Sequence, residues 1–305
     1  MKHLTTFRLI DAIERTGSIR SAAELVSQTP SAVQRRLQSY EQELGFAIFD
    51  RTTKGVCLSA AGELVLHHVR ETLAESERLT SRIADLAGVR RGSVSIGCSQ
   101  ALLPYFLPQE IAQYQAEFPN VTFDVQVIEH ERAAEMLEAF EVDFVLVFNG
   151  QNVPDYDVRL AVPQNITAVM AENHPLKHHE TVRLRQCYEY PIALATKGFG
   201  SRSLLDRALF SKTYATAPTL QSNSFEFLKG HVASTKAITF QIQIGAPEEL
   251  EGTGIISRPI DPRDVVGGYL TLGQKRNRTL SVAASRFVEQ IIKPLSERFD
   301  LDVKR

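Results

Sequence analysis

The sequence predicts an α/β multidomain chain: a winged helix-turn-helix at the N-terminus, one long linker helix, and two α/β lobes that fill the remainder of its 305 residues. Three observations carry this prediction. Capped helical stripes succeed one another through residue 44, a single stripe spaced by four and three runs from 60 to 86, and beyond residue 92 short apolar strands alternate with helices. The expected boundaries are 1–58 for the first unit, 59–88 for the linker and 89–305 for the lobes, with lobe I at about 92–162 and 268–305 and lobe II at about 163–267.

The first unit is built from local signals. Leu4, Phe7, Ile10 and Ile13 follow helical spacing, and Gly17-Ser18 supplies a stop and then a new N-cap. Ile19, Ala22, Ala23 and Val26 form a second stripe, whose paired alanines let two helices cross closely. A third helix starts where Thr29 can cap and Pro30 fits the first position without losing a needed N–H. Val33, Leu37 and Tyr40 then share one face, Ser31, Arg35 and Gln38 share the opposite one, and Gln34 lies on its flank. Residues 46–58 read as two short strands around a turn containing Lys54-Gly55, which is a wing.

The chemistry of the third helix points to nucleic acid. Hydroxyl, amide and guanidinium groups match base-edge donors and acceptors in a DNA major groove, and Arg35 has the fork to hold a guanine. The candidate DNA contacts are therefore Thr29, Pro30, Ser31, Gln34, Arg35 and Gln38, with Arg51 and Lys54 at the wing tip for phosphates.

Ser59 caps the next helix, on which Val65, Val69, Thr72, Ser76, Leu79, Ile83 and Leu86 describe a coiled-coil seam. Two copies would pair along it and present two reading helices to a pseudo-palindromic site. The run GVRRG at 88–92 breaks the helix as a hinge. Strands are expected at 94–98, 121–128, 144–148, 166–171, 192–195 and 237–241, with helices through Tyr114 and Phe140 and at 201–209 and 225–232. That alternation predicts a mainly parallel sheet, with a ligand at the carboxyl ends of strands in the cleft between lobes.

Composition fits an ordinary soluble globular protein, and the motifs leave enzyme readings without support. The chain is 43% hydrophobic and 23% charged, with a net charge of −2. Residues 1–58 hold eight Lys+Arg against six Asp+Glu, a balance of +2 that leaves −4 elsewhere, so DNA binding rests on the motif and not on bulk charge. No apolar export segment or membrane-length run is visible, so a cytoplasmic protein with no membrane partner is expected. Cys57, Cys98 and Cys187 are far apart and form no CxxC pair, which indicates buried thiols; Cys98 stands beside the candidate ligand site, where a redox role would lie. His174, His178 and His179 lack HExxH spacing, and neither a GxSxG elbow nor a phosphate-cradling glycine loop occurs. Neither a catalytic residue nor a cofactor nor a metal is expected.

The whole pattern resembles a known family. Phe7, Gly17-Ser18, Ala22-Ala23, the run TPSAV at 29–33, Glu43-Leu44-Gly45, Phe49-Asp50-Arg51 and the run LSAAG at 58–62 stand in the order of the LysR-type transcriptional regulators. Pro30 and Gln34 depart from the Gln and Ser that many members carry there. The runs SVSIG at 93–97 and LLPYFL at 102–107, Phe118-Pro119 and His174-Pro175-Leu176 match that family's effector-binding domain, which is itself similar to periplasmic binding proteins. The resemblance implies a small-molecule effector touching Ser99 and Gln100, with Glu129, His130, Asn149, Thr196, Lys197, Ser201, Arg202, Phe240 and Gln241 at further strand ends. Lys197 and Arg202 would suit an anion and Glu129 an ammonium, the two ends of an amino-acid-like ligand. Also implied are a homodimer or homotetramer, double-stranded operator DNA as partner, and RNA polymerase as a candidate partner. The competing expectation is a solute-binding protein whose N-terminal module is not used for DNA.

Overall fold

The computed structural model describes residues 3–52, 55–86, 91–149, 155–210, 212–246 and 252–299. The chain divides into two compact units, residues 1–89 and 90–305, each with its own core.

In the first unit α1 (Leu4–Thr16) ends at Gly17, whose φ of 62° is the left-handed cap that glycine adopts without strain. The Ser18 hydroxyl accepts from the Ser21 N–H and opens α2 (Ile19–Leu25). Thr29 Oγ1 accepts from the Ala32 N–H at 3.3 Å and opens α3 (Pro30–Leu44). Strands β1 (Phe49–Thr52) and β2 (Gly55–Leu58) form the antiparallel wing, held to α3 by Glu41 Oε1, which accepts from the Ile48 and Phe49 N–H groups at 2.7 and 3.3 Å. Lys54 and residues 88–90 of the expected hinge lie outside the described residues, as do the side chains of Arg51 and Leu86.

Helix α4 (Ala60–Leu86) is capped by Ser59, whose Oγ accepts from the Gly62 N–H at 2.9 Å. Its stripe does not serve one partner throughout. Val69 is fully buried and Val65 packs with it against the core of the first unit, where Arg70 also bridges Asp11 and Glu14 of α1 at 2.8 and 2.6 Å. Only the later part, with Leu79 and Ile83 more than half exposed, is left for another surface. The expected seam is corrected accordingly: its first turns finish the N-terminal domain, because α1 would otherwise leave its apolar stripe in water.

The second unit holds two lobes. Lobe I is a five-stranded sheet in the order β4 (Asn120–Val127), β3 (Arg91–Cys98), β5 (Phe144–Phe148), β12 (Gly268–Lys275), β6 (Tyr156–Gln164). Helices α5 (Phe106–Glu117), α6 (His130–Glu138) and α10 (Val282–Arg298) complete it. Lobe II has the sheet β10 (Thr239–Ile242), β7 (Ile166–Ala171), β11 (Ile255–Pro259) and the parallel pair β8 (Ala193–Ala195) and β9 (Leu220–Ser222), with α7 (Leu184–Cys187), α8 (Gly200–Leu209) and α9 (Phe225–Ala233). The chain enters lobe II between β6 and β7 at Asn165 and returns at β12.

The lobe I sheet is mainly parallel, with β4, β3, β5 and β6 running the same way, but each lobe carries one reversed strand. β3 is parallel to β4 and β5, but β12 runs antiparallel to both β5 and β6, and β7 is antiparallel to both neighbours. The two passages between lobes explain this, since a strand that leaves one sheet for another, or comes back, need not follow the right-handed crossover that makes neighbours parallel.

Candidate DNA-reading surface and effector site

On α3, Val33 and Leu37 are buried while Thr29, Pro30, Ser31, Arg35 and Gln38 are exposed and Gln34 is half-buried. Tyr40 closes the inner face edge-on to Phe7 at 5.7 Å. Arg35 Nε donates to the Ser31 carbonyl at 3.4 Å, and its guanidinium makes no ion pair among the described residues. A helix anchored on one side and polar on the other, flanked by a two-stranded wing, has the width and chemistry to enter a major groove.

At the lobe boundary the predicted residues separate into two groups. Ser99 is buried, and its Oγ accepts from the Ala101 N–H at 3.5 Å. Gln100 of lobe I reaches lobe II: its Oε1 accepts from the Phe225 N–H at 2.6 Å and its Nε2 donates to the Asn223 carbonyl at 3.2 Å. Glu129 stands at the N-cap of α6 without a side-chain cap bond, its Oε1 buried and lacking a hydrogen-bond partner among the described residues, with the Gly200 N–H of α8 facing it across the same boundary. Burial and then the Glu131 charge push its carboxyl up to about 7, against the opposing pull of that N–H. Gln241 is 2% exposed, and neither its Oε1 nor its Nε2 has a hydrogen-bond partner among the described residues. Ser201 is buried at the start of α8, while Thr196 is half-buried and Lys197 exposed just beyond β8.

The other group is already engaged. Phe240 is 2% exposed and lies in the main apolar core, so it is corrected from ligand contact to packing; on β10 its side chain must face opposite to Gln241. Arg202 is likewise corrected to a structural clamp, because its Nε donates to Asp206 at 2.7 Å and its Nη1 to the Ala195 carbonyl at 2.8 Å. With Arg202 so occupied and burial pushing the Glu129 carboxyl toward its neutral form, Lys197, exposed beyond β8, is the one proposed counter-charge of an amino-acid-like ligand left in place. Asn149, at φ 61°, accepts from the Tyr269 N–H through Oδ1, whereas His130 Nδ1, 3.4 Å from Glu131, is buried with no hydrogen-bond partner among the described residues and so is not engaged.

Several residues of this boundary escaped the sequence reading. Tyr105, just before α5, meets Lys229 of α9, with Nζ 4.7 Å from the ring centre and 3.5 Å from the hydroxyl. Gln164 is fully buried at the crossing point, where its Oε1 accepts from the Ile244 N–H at 2.9 Å. Gly200 packs against Phe148, leaving only 2.5 Å between that ring and the position a Cβ would take. Only the aromatic and glycine identities hinted at these pairings, which join residues far apart in sequence.

Cys98 is fully buried, and burial pushes its thiol up to about 12, far from the thiolate a redox sensor needs. His174 accepts from the Leu176 N–H through Nδ1 at 3.2 Å and so caps the turn at Pro175–His178. Among the described residues no group of His, Cys, Asp and Glu could hold a metal ion, and no helix is long and apolar enough to cross a membrane.

Comparison with known families decides what this architecture is. The family model for the bacterial regulatory helix-turn-helix protein of the lysR family matches residues 4–63, and the LysR substrate binding domain model matches residues 87–295. The chain belongs to the LysR family of transcriptional regulators. This LysR-family chain is 25% identical to a probable RuBisCO transcriptional regulator of Synechocystis sp., over 99% of its length and 89% of the relative's. It is also 25% identical to the uncharacterized HTH-type transcriptional regulator YbhD of Escherichia coli, covering 96% and 92% of the two chains. Full-length CbnR complexed with its target DNA has the same fold, with a TM-score of 0.65 at 15% identity over 95% and 99% of the chains. So does the effector binding domain of QuiR in complex with shikimate, with a TM-score of 0.55 at 17% identity over 68% and 99%. These relatives are regulators, which overturns the solute-binding alternative: this LysR-type chain is a DNA-binding transcriptional regulator with an effector-binding domain.

Proposed function

We propose that this regulator reads its operator with α3 and answers to a small, largely uncharged molecule held between the two lobes. Ser31, Arg35 and Gln38 contact base edges with Gln34 at their margin, Thr29 and Pro30 set the helix start against the backbone, and Arg51 and Lys54 of the wing hold phosphates. The observation that carries this reading is the split of α3 into a buried apolar face and an exposed face of hydrogen-bonding side chains. The domain limits at 58 and 88, assembly of a homodimer or homotetramer through the exposed part of α4, an encounter with RNA polymerase, and a cytoplasmic site of action without an enzymatic step belong to the same proposal.

In the lobes, Ser99, Gln100, Glu129, Thr196, Lys197, Ser201 and Gln241 are the groups that would meet the effector. Gln241 supports this most directly, since a buried amide with neither atom satisfied is costly until a partner arrives. An effector that binds one degree of lobe closure better than another shifts the population between them and alters the spacing of paired reading helices. Isothermal titration of the full chain with a library of small polyols, hydroxy acids and amides tests this. The expected result is saturable heat from a member of the library that Gln241→Leu abolishes, and a ligand whose affinity is unchanged by that substitution would contradict the assignment.

A further inference from the structure

The two flanks of α3 are not alike. One is closed by the loop leading into the wing, through the Glu41 bonds to Ile48 and Phe49. The other opens into a groove of about 530 Å³ between α3 and the start of α1, lined among others by His3, Thr6, Arg35, Arg36, Ser39 and Glu43. Arg36 and Ser39 are exposed, and Arg36 makes neither a hydrogen bond nor an ion pair among the described residues. The one carboxylate of the groove, Glu43, lies 3.7 Å from His3 Nε2, and that imidazole is itself fixed 5.3 Å from the Tyr40 ring.

A helix about 10–12 Å across fills a major groove about 12 Å wide, so its flanks abut the phosphate rims. At 100° per residue, Ser39 and Arg36 lie on the flank turned away from the wing, next to the reading face of Ser31, Arg35 and Gln38. We propose that this groove is a second phosphate seat: the Arg36 guanidinium and the Ser39 hydroxyl hold a backbone phosphate of the rim opposite the wing, while His3 draws the Glu43 carboxylate aside. The inference rests on α3 being the reading helix. It adds a clamp on the opposite rim, so that the helix is fixed from both sides and its depth in the groove is set by residues that read no base.

The test uses the full chain and a fluorescein-labelled random-sequence duplex, with anisotropy followed across a salt series. Each neutralised phosphate contributes about 0.9 to the slope of log K against log salt, so Arg36→Gln is expected to flatten the slope by about that amount and Arg36→Lys to retain it. Ser39→Ala should weaken binding with the slope unchanged, and Lys293→Gln, the same charge change in the other unit, should match the wild type throughout. The loss in Arg36→Gln should be equal for AT-rich and GC-rich duplexes. If Arg36→Gln keeps the wild-type slope while Arg35→Gln weakens binding, the phosphate seat is wrong and α3 remains the reading helix. If the wild-type chain binds no duplex, the reading of α3 falls and the seat with it.

Discussion

Glu129 concentrates the electrostatics of the lobe boundary in one carboxyl. Its value near 7 lies above its unfolded value, so between about pH 4.5 and 7 the folded state holds a proton that the unfolded state has lost. Stability contributed by this group is therefore greatest in acid, falls as pH rises through that window and stays low above it. Because the side chain is only half-buried, the effect is discounted to about 1–2 kcal/mol. Thermal melts of wild type and Glu129→Gln from pH 5 to 8 should converge in acid apart from a constant offset, with the variant gaining relative stability toward neutrality. Parallel curves would show that Glu129 does not titrate in this window. At α3, Thr29→Ala removes the hydroxyl that satisfies the Ala32 N–H, at an expected cost of about 1 kcal/mol read from denaturant midpoints.

Among the elements, those encoded locally were the ones the sequence made legible. Ser18, Thr29 and Ser59 announce helix starts by their own side chains, and β5 and β7 are apolar runs bounded by turns. β6 was not read as a strand because Pro163 interrupts it and its pattern is mixed; it is an edge strand, where a missing N–H is tolerated. β12 owes its place to partners on both sides that lie far back in the chain, which no local pattern records. The same holds for the boundary contacts, since nothing near Gln100 says that it will meet Phe225. Phe240 shows the opposite error, where position at a strand end suggested a ligand contact and alternation about β10 sent the ring into the core. The start of α8 offers a direct test of this packing: Gly200→Ala sets a Cβ against Phe148 and should cost about 1–3 kcal/mol, largely recovered in the double variant with Phe148→Leu. An undiminished melting temperature in the single variant would mean that the lobes do not meet there as described.

For the molecule as a whole, the two units divide the work of a regulator between them. Specific recognition needs more than one short helix can supply, so two copies reading two half-sites would multiply a weak affinity through their linkage. Leu79 and Ile83 are the exposed apolar residues of α4 left for that pairing. Replacing both with Glu should lower the assembly state in sedimentation velocity and weaken operator binding far more than random-duplex binding. An unchanged sedimentation coefficient would move the interface elsewhere. The central claim, sequence-specific reading by α3, is tested most directly by anisotropy of the full chain on the duplex from upstream of its own coding region, with excess random competitor. The account predicts saturable binding that survives competitor in the wild type and falls about 5–150-fold in Arg35→Ala, the 1–3 kcal/mol of one lost base contact. Equal specific affinity in wild type and Arg35→Ala would contradict it.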